Sequence, residues 1–348
     1  MRFLAIGDVH ASGFGDDPLV DNLPARLTYI KRTLDYCIQL GKSKNINEYV
    51  ILGDLIHDKT IIYNIAQSML YEFFKNNTDC HFTIISGNHD LSSTGENQKS
   101  AIEVFDSLSN VHCVVKDIYC DDTNKILFVP YTNDFIGKIK NHRSGYNIIV
   151  AHVGLNEAVL QSGLSKVDKL KITDIKDYKL AILGHYHKPQ EFCNDVTKVY
   201  YAGSLIPRDW NDKNESKRVL IVDTDSLNVE NCPIPDSINV PRYIEIVIPP
   251  NSSNEDIKNG IEEASIYRKQ GHHVRLINKN KTKIKEDISD VIILEQHEID
   301  VTNRGITVDQ TKIQQCEKYL EIKQIPEDER KMYMDLLKDS KLLETVEE

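Results

Sequence analysis

Apolar residues along the chain gather in short, β-branched runs that stop abruptly in glycine and polar side chains, with helical patterns between them. Arg2-Phe3-Leu4-Ala5-Ile6 predicts a first strand and is followed by Gly7-Asp8-Val9-His10. After a polar loop and Pro24, Leu27, Ile30, Leu34 and Ile38 recur at helical spacing, with Gly41 where a helix C-cap is expected. Tyr49-Val50-Ile51-Leu52 predicts a second strand, ending in Gly53-Asp54-Leu55-Ile56-His57. Ile62, Ile65, Ala66, Met69, Leu70 and Phe73 then mark a second amphipathic helix. A third strand, Phe82-Thr83-Ile84-Ile85, closes in Ser86-Gly87-Asn88-His89-Asp90, and residues 97–108 read as a third helix. Further strands are expected over 111–116, 125–130, 147–151, 180–183, 199–202 and 219–223.

Strand–helix–strand alternation implies right-handed crossovers and a largely parallel α/β sheet covered on both faces. The later strands have fewer helices between them, so the second half of the sheet, or a second sheet, is expected to be partly antiparallel. The pattern changes at residues 232–241, where three prolines in nine residues suit a linker that cannot join a ladder. The chain therefore divides into a large domain over 1–231, the linker 232–241, a small α/β module over 242–300 and a charged, helix-prone region over 301–348. In that last region Met332, Tyr333, Leu336, Leu337, Leu342 and Leu343 form an apolar stripe, which can pack on its own domain or dock onto a partner.

A chain of 348 residues, 40% hydrophobic and 27% charged, has the composition of an ordinary globular protein. No apolar run approaches the roughly 18 residues a membrane helix needs, and the start of the chain runs directly into a strand rather than a signal-peptide core. Seven scattered cysteines with no C-x-x-C pair fit free thiols in a reducing cytoplasm. Lys and Arg number 42 against 53 Asp and Glu, a formal charge of −11, which argues against a polyanionic partner. Metal-binding acids, however, have their charge cancelled locally. The bases are also unevenly spread, with Arg268, Lys269, Arg275, Lys279, Lys281, Lys283 and Lys285 close together around His272 and His273.

Five strand ends carry the candidate chemistry: Gly7-Asp8-Val9-His10, Gly53-Asp54-Leu55-Ile56-His57, Gly87-Asn88-His89-Asp90, Ala151-His152-Val153 and Gly184-His185-Tyr186-His187. Any one of these alone is commonly a satisfied turn. In one sheet all five would converge on a single edge, supplying Asp, Asn and His but no thiolate, a donor set suited to divalent Mn, Fe or Zn. Asp8, His10, Asp54, Asn88, His152, His185 and His187 are too many for one ion and about right for two, provided Asp54 bridges. Two cations about 3.5–4 Å apart are a known device for in-line attack on phosphoryl esters, and they lower the pKa of bound water toward about 7. A histidine outside the ligand set must then protonate the leaving oxygen, and His89 is the candidate. Asp90 either orients that imidazole or caps the following loop.

This set resembles the calcineurin-like metallophosphoesterase superfamily, and its details are most similar to the SbcD nuclease family, including phage-encoded members. The matching motifs run from Gly7 to Ser204, with Tyr201-Ala202-Gly203-Ser204 resembling the family's Gly-Ser signature. The resemblance implies a layered sandwich of mixed sheets flanked by helices, a small α/β capping module that binds DNA and C-terminal helices. It implies two manganese ions, one on Asp8, His10 and His187, the other on Asn88, His152 and His185, with Asp54 shared. His89 corresponds to the catalytic histidine and His57 to a second histidine that guides the DNA. The partners implied are DNA and an SbcC-type, SMC-like ATPase, in a heterotetramer built on a homodimer of nuclease subunits acting in break processing, recombination or replication. The setting implied is the cytoplasm, the host's if the chain is phage-encoded.

Alternatives within the superfamily are a phosphatase or a cyclic-nucleotide phosphodiesterase. Protein phosphatases there carry Arg soon after the bridging Asp and Glu after Asn-His. Here Leu55-Ile56-His57-Asp58-Lys59 follows Asp54, and Asp90 follows His89, which favours the nuclease. A catalytically silent scaffold would lack ligands, and none is missing. No G-x-x-x-x-G-K-[ST] motif occurs, so ATP dependence would come from the partner.

Overall fold

The computed structural model describes residues 1–13, 19–92, 99–142, 144–159, 170–280, 284 and 291–295, with isolated positions between 320 and 334. The chain divides into two compact units. The first is Met1–Glu245 with Glu263–Arg275, and the second is Ile246–Glu262 with the described residues from Leu276 onward.

In the first unit, β1 (Arg2–Ile6), α1 (Ala25–Ser43), β2 (Glu48–Ile51), α2 (Asn64–Asn76), β3 (His81–Ile85) and β4 (Val111–Val114) follow one another. Next come β5 (Tyr119–Asp121), β6 (Ile126–Val129), α3 (Phe135–Ile139), β7 (Ile148–His152), β8 (Leu180–Gly184), β9 (Gln190–Cys193) and β10 (Lys198–Tyr201). The run ends with β11 (Arg218–Asp223) and β12 (Val229–Pro233). They build two six-stranded mixed sheets, β12-β11-β1-β2-β3-β4 and β9-β10-β8-β7-β6-β5. Within the first, β1, β2, β3 and β4 are parallel neighbours while β11 pairs antiparallel to β1. Within the second, β6, β7, β8 and β10 run parallel, with antiparallel β5 and β9 at the edges.

Alternation along each strand assigns its two faces. Phe3, Ala5, Val50 and Ile85 from the first sheet share one core with Phe128, Ile148, Val150, Leu180 and Ile182 from the second. The opposite residues of the first sheet, Leu4, Ile6, Tyr49, Ile51, Phe82 and Ile84, pack with Leu27, Ile30 and Leu34 of α1 and Leu70 and Phe74 of α2. Those of the second, Leu127, Val129, Ile149 and Leu183, pack with Phe135 and Ile139. The result is a helix–sheet–sheet–helix sandwich, and the burial of both faces explains why these strands are continuously apolar. The metallophosphoesterase-type layering expected from the sequence is therefore present.

Four local expectations need correction. Gly41 does not end α1; the helix continues to Ser43, and a Cβ at 41 would stand 2.0 Å from the Tyr49 hydroxyl, so glycine here makes room for a buried tyrosine. The helix expected over 97–108 is, in its described part, only a 3-10 turn over Glu103–Ser107. The Ala101 amide and the Ser100 hydroxyl both donate to the Asp90 carbonyl, which ties this segment to the preceding loop. The proline-rich stretch is not a free linker. Cys232 and Pro233 lie in edge strand β12, paired with Val219 and Arg218, where a missing N–H is tolerated, and Ile234 and Val240 pack on the first core. Edge strands β5, β9 and β12 had no counterpart in the apolar pattern, because one side of each is polar.

Beyond β12 the chain forms β13 (Tyr243–Ile248), α4 (Asn254–Lys269), β14 (His273–Asn278) and β15 (Ile292–Glu295), the strands ordered β13-β14-β15 in a small sheet. The core of the second unit is Ile248, Ile257 and Leu276, flanked by Ile246, Ile261, Ile284 and Val291. Lys281, Lys283 and Lys285 of the basic run, and nearly all of 301–348, fall outside the described residues. Among the described residues the cysteines are all free thiols, and no helix is long and apolar enough to cross a membrane.

Candidate active site

All five candidate strand ends meet at one edge of the sandwich: β1, β2 and β3 are consecutive neighbours in the first sheet, and β7 and β8 are neighbours in the second. Asp8, His10, Asp54 and His152 are at most 2% exposed. Three of the candidates sit at positive φ: His10 at 51°, Asp54 at 49° and His185 at 99°. Such backbone costs on the order of 1–3 kcal/mol per residue and persists only where surrounding bonds over-determine it. The Asp54 carbonyl accepts from the amides of Val9 and His10 at 3.1 and 2.8 Å, and the Asp8 carboxylate accepts from the His185 amide at 3.1 Å. A Cβ on Gly87 would stand 2.1 Å from Asp54 Oδ1, so only glycine lets that strand end pass the carboxylate.

The donor atoms form overlapping groups, two of which share Asp8, while a third joins His10 to His57 and His89. Asp8, His10 and His187 place one ligand atom each within 4.8 Å of one another, as do Asp8, Asp54 and His152. His10 Nε2 lies 3.0 Å from His187 Nε2, and His187 Nε2 lies 3.6 Å from Asp8 Oδ2. Asn88 Oδ1 lies 3.1 Å from both His152 Nε2 and His185 Nδ1. Asp54 Oδ2 stands between the groups, 3.6 Å from His10 Nε2 and 3.4 Å from His152 Nε2.

Hydrogen bonds behind these atoms set which nitrogen faces inward. His152 donates from Nδ1 to the Leu52 carbonyl at 2.7 Å, leaving Nε2 for the cluster. His57 Nδ1 lies 3.3 Å from His10 Nδ1 and accepts from Arg208 Nη2 at 3.2 Å. With His10 Nδ1 as the donor, its Nε2 lone pair is turned to Asp8 and His187. Facing imidazole nitrogens and buried carboxylates with inward lone pairs are donors without enough protons between them, and they fit divalent cations of borderline hardness.

The electrostatics agree. Burial pushes Asp8 up to about 7, reinforced by the Asp54 charge and opposed by His152. Burial also acts to raise Asp54, yet the charge and hydrogen bond of His152, with His10 and His89, hold it far below the usual carboxylate range. Burial acts to lower His152, but Asp54 and Asp8 carry it to about 9. Burial keeps His10 neutral well below its ordinary value, and burial with the Arg208 charge takes His187 down to about 2. Asp54 and Asp8 thus favour positive charge on the His152 imidazole, and the same carboxylates would favour a cation.

His89 is bound differently from its neighbour Asn88. Its amide donates to Asp54 Oδ1 at 2.8 Å, and its ring donates from Nδ1 to the His57 carbonyl at 2.5 Å, leaving Nε2 to exchange protons. The His57 and His89 rings lie 10° from parallel with centroids 5.4 Å apart. Among the described residues, the Asp90 side chain is engaged by backbone amides rather than by the His89 imidazole. Fully buried, it accepts from the Gly87 and Ile56 amides at 2.8 Å each and so clamps two strand ends together. Burial, with the nearby Asp54 charge, raises it to about 7.

Two residues here were not singled out from the sequence. Arg208 brings Nη1 to 3.2 Å from His187 Nε2. Lys217, buried with Asp212 and Glu215 at 3.1 and 2.8 Å, donates to the His187 carbonyl at 3.0 Å and anchors that loop. Arg208 follows the Tyr201-Ala202-Gly203-Ser204 signature by four residues, and that proximity was the only signal for it. An open trough of about 450 Å³ runs beside the cluster, with His57, Arg208, Arg26, Tyr29, Tyr243 and His273 in its wall.

A two-sheet sandwich with Asp, Asn and His gathered at its strand ends is the architecture of a metallophosphoesterase. The chain belongs to the calcineurin-like phosphoesterase family, whose model matches residues 1–189. As such it is a hydrolase of phosphoester bonds that works with divalent metal ions. No curated protein matches it. Solved structures with a similar fold include an archaeal phosphodiesterase, at 13% identity over 67% of this chain and 100% of that one, with a TM-score of 0.37. The E. coli phosphoesterase YfcE matches at 13% identity over 68% and 100%, TM-score 0.32. GAP50, the anchor in the inner membrane complex of Plasmodium, matches at 12% identity over 68% and 89%, TM-score 0.39.

Proposed function

We propose that this chain is a DNA phosphodiesterase of the SbcD type, using two manganese ions, with both exonuclease and endonuclease activity. Asp8, His10 and His187 would hold one ion, Asn88, His152 and His185 the other, and Asp54 both. Ions bound there supply Lewis acidity at the phosphoryl group. The protein's own part is to place and neutralise the substrate and to move one proton. Arg208 and Arg26 offer guanidinium groups to phosphate oxygens, and His89 Nε2 gives a proton to the departing oxygen while its Nδ1–H stays on the His57 carbonyl.

The observation that carries the nuclease reading is the trough, which is open and continuous with His57 and Arg208. Two guanidinium groups, Arg26 and Arg208, in the wall of a trough of this size suit a substrate with more than one phosphate. On this reading 1–231 is the nuclease domain and 242–300 a capping module on DNA, while 301–348 binds the root of an SMC-like ATPase coiled coil within a heterotetramer. The test is manganese-dependent hydrolysis of linear duplex DNA against a small phosphomonoester and a cyclic nucleotide. Cleavage of DNA is expected, and hydrolysis of the small esters alone would overturn the proposal.

A further inference from the structure

Lys217 and Asp212 form a buried ion pair at 3.1 Å, their side chains 3% and 0% exposed, and Glu215 is a second carboxylate on the same ammonium. A buried pair does little for net stability, because taking two charges out of water costs about what their attraction returns. What it can supply is fixed geometry, and here each partner also holds a backbone group of the site. Asp212 Oδ2 accepts from the Arg208 amide at 2.6 Å, while its Oδ1 accepts from the Lys217 ammonium. That ammonium donates in turn to the His187 carbonyl at 3.0 Å, an oxygen that the Ser204 amide also reaches at 2.9 Å. The main chain of Arg208 is thereby tied, through Asp212 and Lys217, to the main chain of a candidate metal ligand.

The side chain of Arg208 meets the same ligand from the other direction. Nη1 lies 3.2 Å from His187 Nε2 and Nη2 lies 3.2 Å from His57 Nδ1. The Arg208 carbonyl accepts from the Tyr243 hydroxyl at 3.0 Å, so its peptide is held at the amide and at the oxygen. Asp212 itself ends the 3-10 turn Trp210–Asp212, which brings its carboxylate back to the Arg208 amide four residues earlier. We propose that Asp212 and Lys217 are positioning residues for phosphoester cleavage, setting where the Arg208 guanidinium stands relative to His187. Neither needs to touch the substrate; both act through Arg208. The inference rests on the phosphate-binding role given to Arg208 above and requires no particular phosphoester.

The test is a double-mutant cycle between Asp212→Asn and Arg208→Ala, assayed with manganese on linear duplex DNA, bis(p-nitrophenyl) phosphate and p-nitrophenyl phosphate. Asp212→Asn keeps the side-chain volume but offers one acceptor oxygen where the structure uses two. It is expected to lower kcat/KM about 10–10²-fold, the cost of a small misplacement of a binding group. With Arg208 already alanine, the same change should cost less than about twofold, because coupled residues are not additive. A second readout needs no turnover. In the metal-free protein labelled with 15N-arginine, the Arg208 Nε–Hε signal, assigned by its loss in Arg208→Ala, should move toward that of free arginine in Asp212→Asn. Arginines distant from the site should keep their signals. If Asp212→Asn does not fold, the pair Asp212→Asn with Lys217→Met, which removes both charges and cuts the same tie, carries both measurements. An equal loss with and without Arg208, or an Arg208 signal that does not move, would overturn the proposal and leave the ion pair as part of the fold alone. Full activity in Arg208→Ala would overturn it together with the role of Arg208. Hydrolysis of the monoester without cleavage of DNA would sink the nuclease reading by itself, since the cycle then runs on the monoester.

Discussion

His89 gives its Nδ1 proton to the carbonyl oxygen of His57 at 2.5 Å, so a backbone atom of one strand-end loop orients the imidazole of the next. The other ring nitrogen, Nε2, is left to work, and Asn88, one residue earlier, faces His152 and His185 instead. His89→Ala is therefore expected to keep its metal content and lose turnover by about 10²–10⁴-fold, the usual worth of a general acid. Metal analysis beside steady-state kinetics checks this; metal lost together with activity would make His89 a ligand instead.

Asp90 makes a prediction about stability rather than chemistry. Its carboxylate satisfies two buried amides, Gly87 and Ile56, and an unsatisfied buried donor costs on the order of 1–3 kcal/mol. Asp90→Ala should lower the unfolding free energy accordingly and loosen the Asp54 and Asn88 loops together. Urea denaturation reads the effect, and a change below about 0.5 kcal/mol would remove the clamp from the account.

Arg208 should matter for the shape of its charge as much as for its sign. Its Nη1 and Nη2 reach His187 and His57 separately, a fork that lysine cannot reproduce. Arg208→Ala is expected to lower kcat/KM by about 10²–10³, comparable with loss of one preorganised donor at a developing charge. Arg208→Lys should recover only part of it. Full activity in the alanine variant would leave the guanidinium as a mere neighbour of the site.

Metal uptake should release protons. Burial, with the Asp54 charge, places Asp8 at about 7, and the carboxylates place His152 at about 9, so near neutral pH the metal-free cluster is partly protonated. Cations compete with those protons, and apparent metal affinity must rise with pH through this range and fall as pH drops. Titration calorimetry in two buffers of different ionisation heat measures the release directly. An affinity flat between pH 6 and about 9 would contradict the electrostatics described.

Runs such as Phe3–Ile6 and Phe82–Ile85 are legible because both of their faces are buried, and the polar residues that follow them stand out against that background. Asp8, His10, Asp54, Asn88, His152, His185 and His187 were visible for the same reason, and the structure brings them to one edge. Edge strands Tyr119–Asp121 and Gln190–Cys193 were not visible, since a half-exposed strand of three or four residues has too short a period to register. Gly41 misled because a glycine near a helix end ordinarily marks a cap, whereas here it answers to Tyr49, eight residues on. Arg208 and Asp90 act through contacts that no spacing rule encodes. One reaches across the fold to His57, and the other joins Ile56 to Gly87.

The division of candidate ligand atoms between the two sheets has a mechanical consequence. Asp8, His10, Asp54 and Asn88 extend from the first sheet, while His152, His185 and His187 extend from the second, and between the sheets lies an apolar core with polar links at its margins, such as Arg218 on the Gln190 and Tyr201 carbonyls. Apolar contact resists separation strongly and sliding weakly, being non-directional. Any ion held by Asp8 and His187, or by Asn88 and His152, is a rivet through both layers. Chelation would then do more than empty a site: it would remove a link between the sheets, and amide exchange in β7 and β8 would quicken at a distance from any candidate ligand.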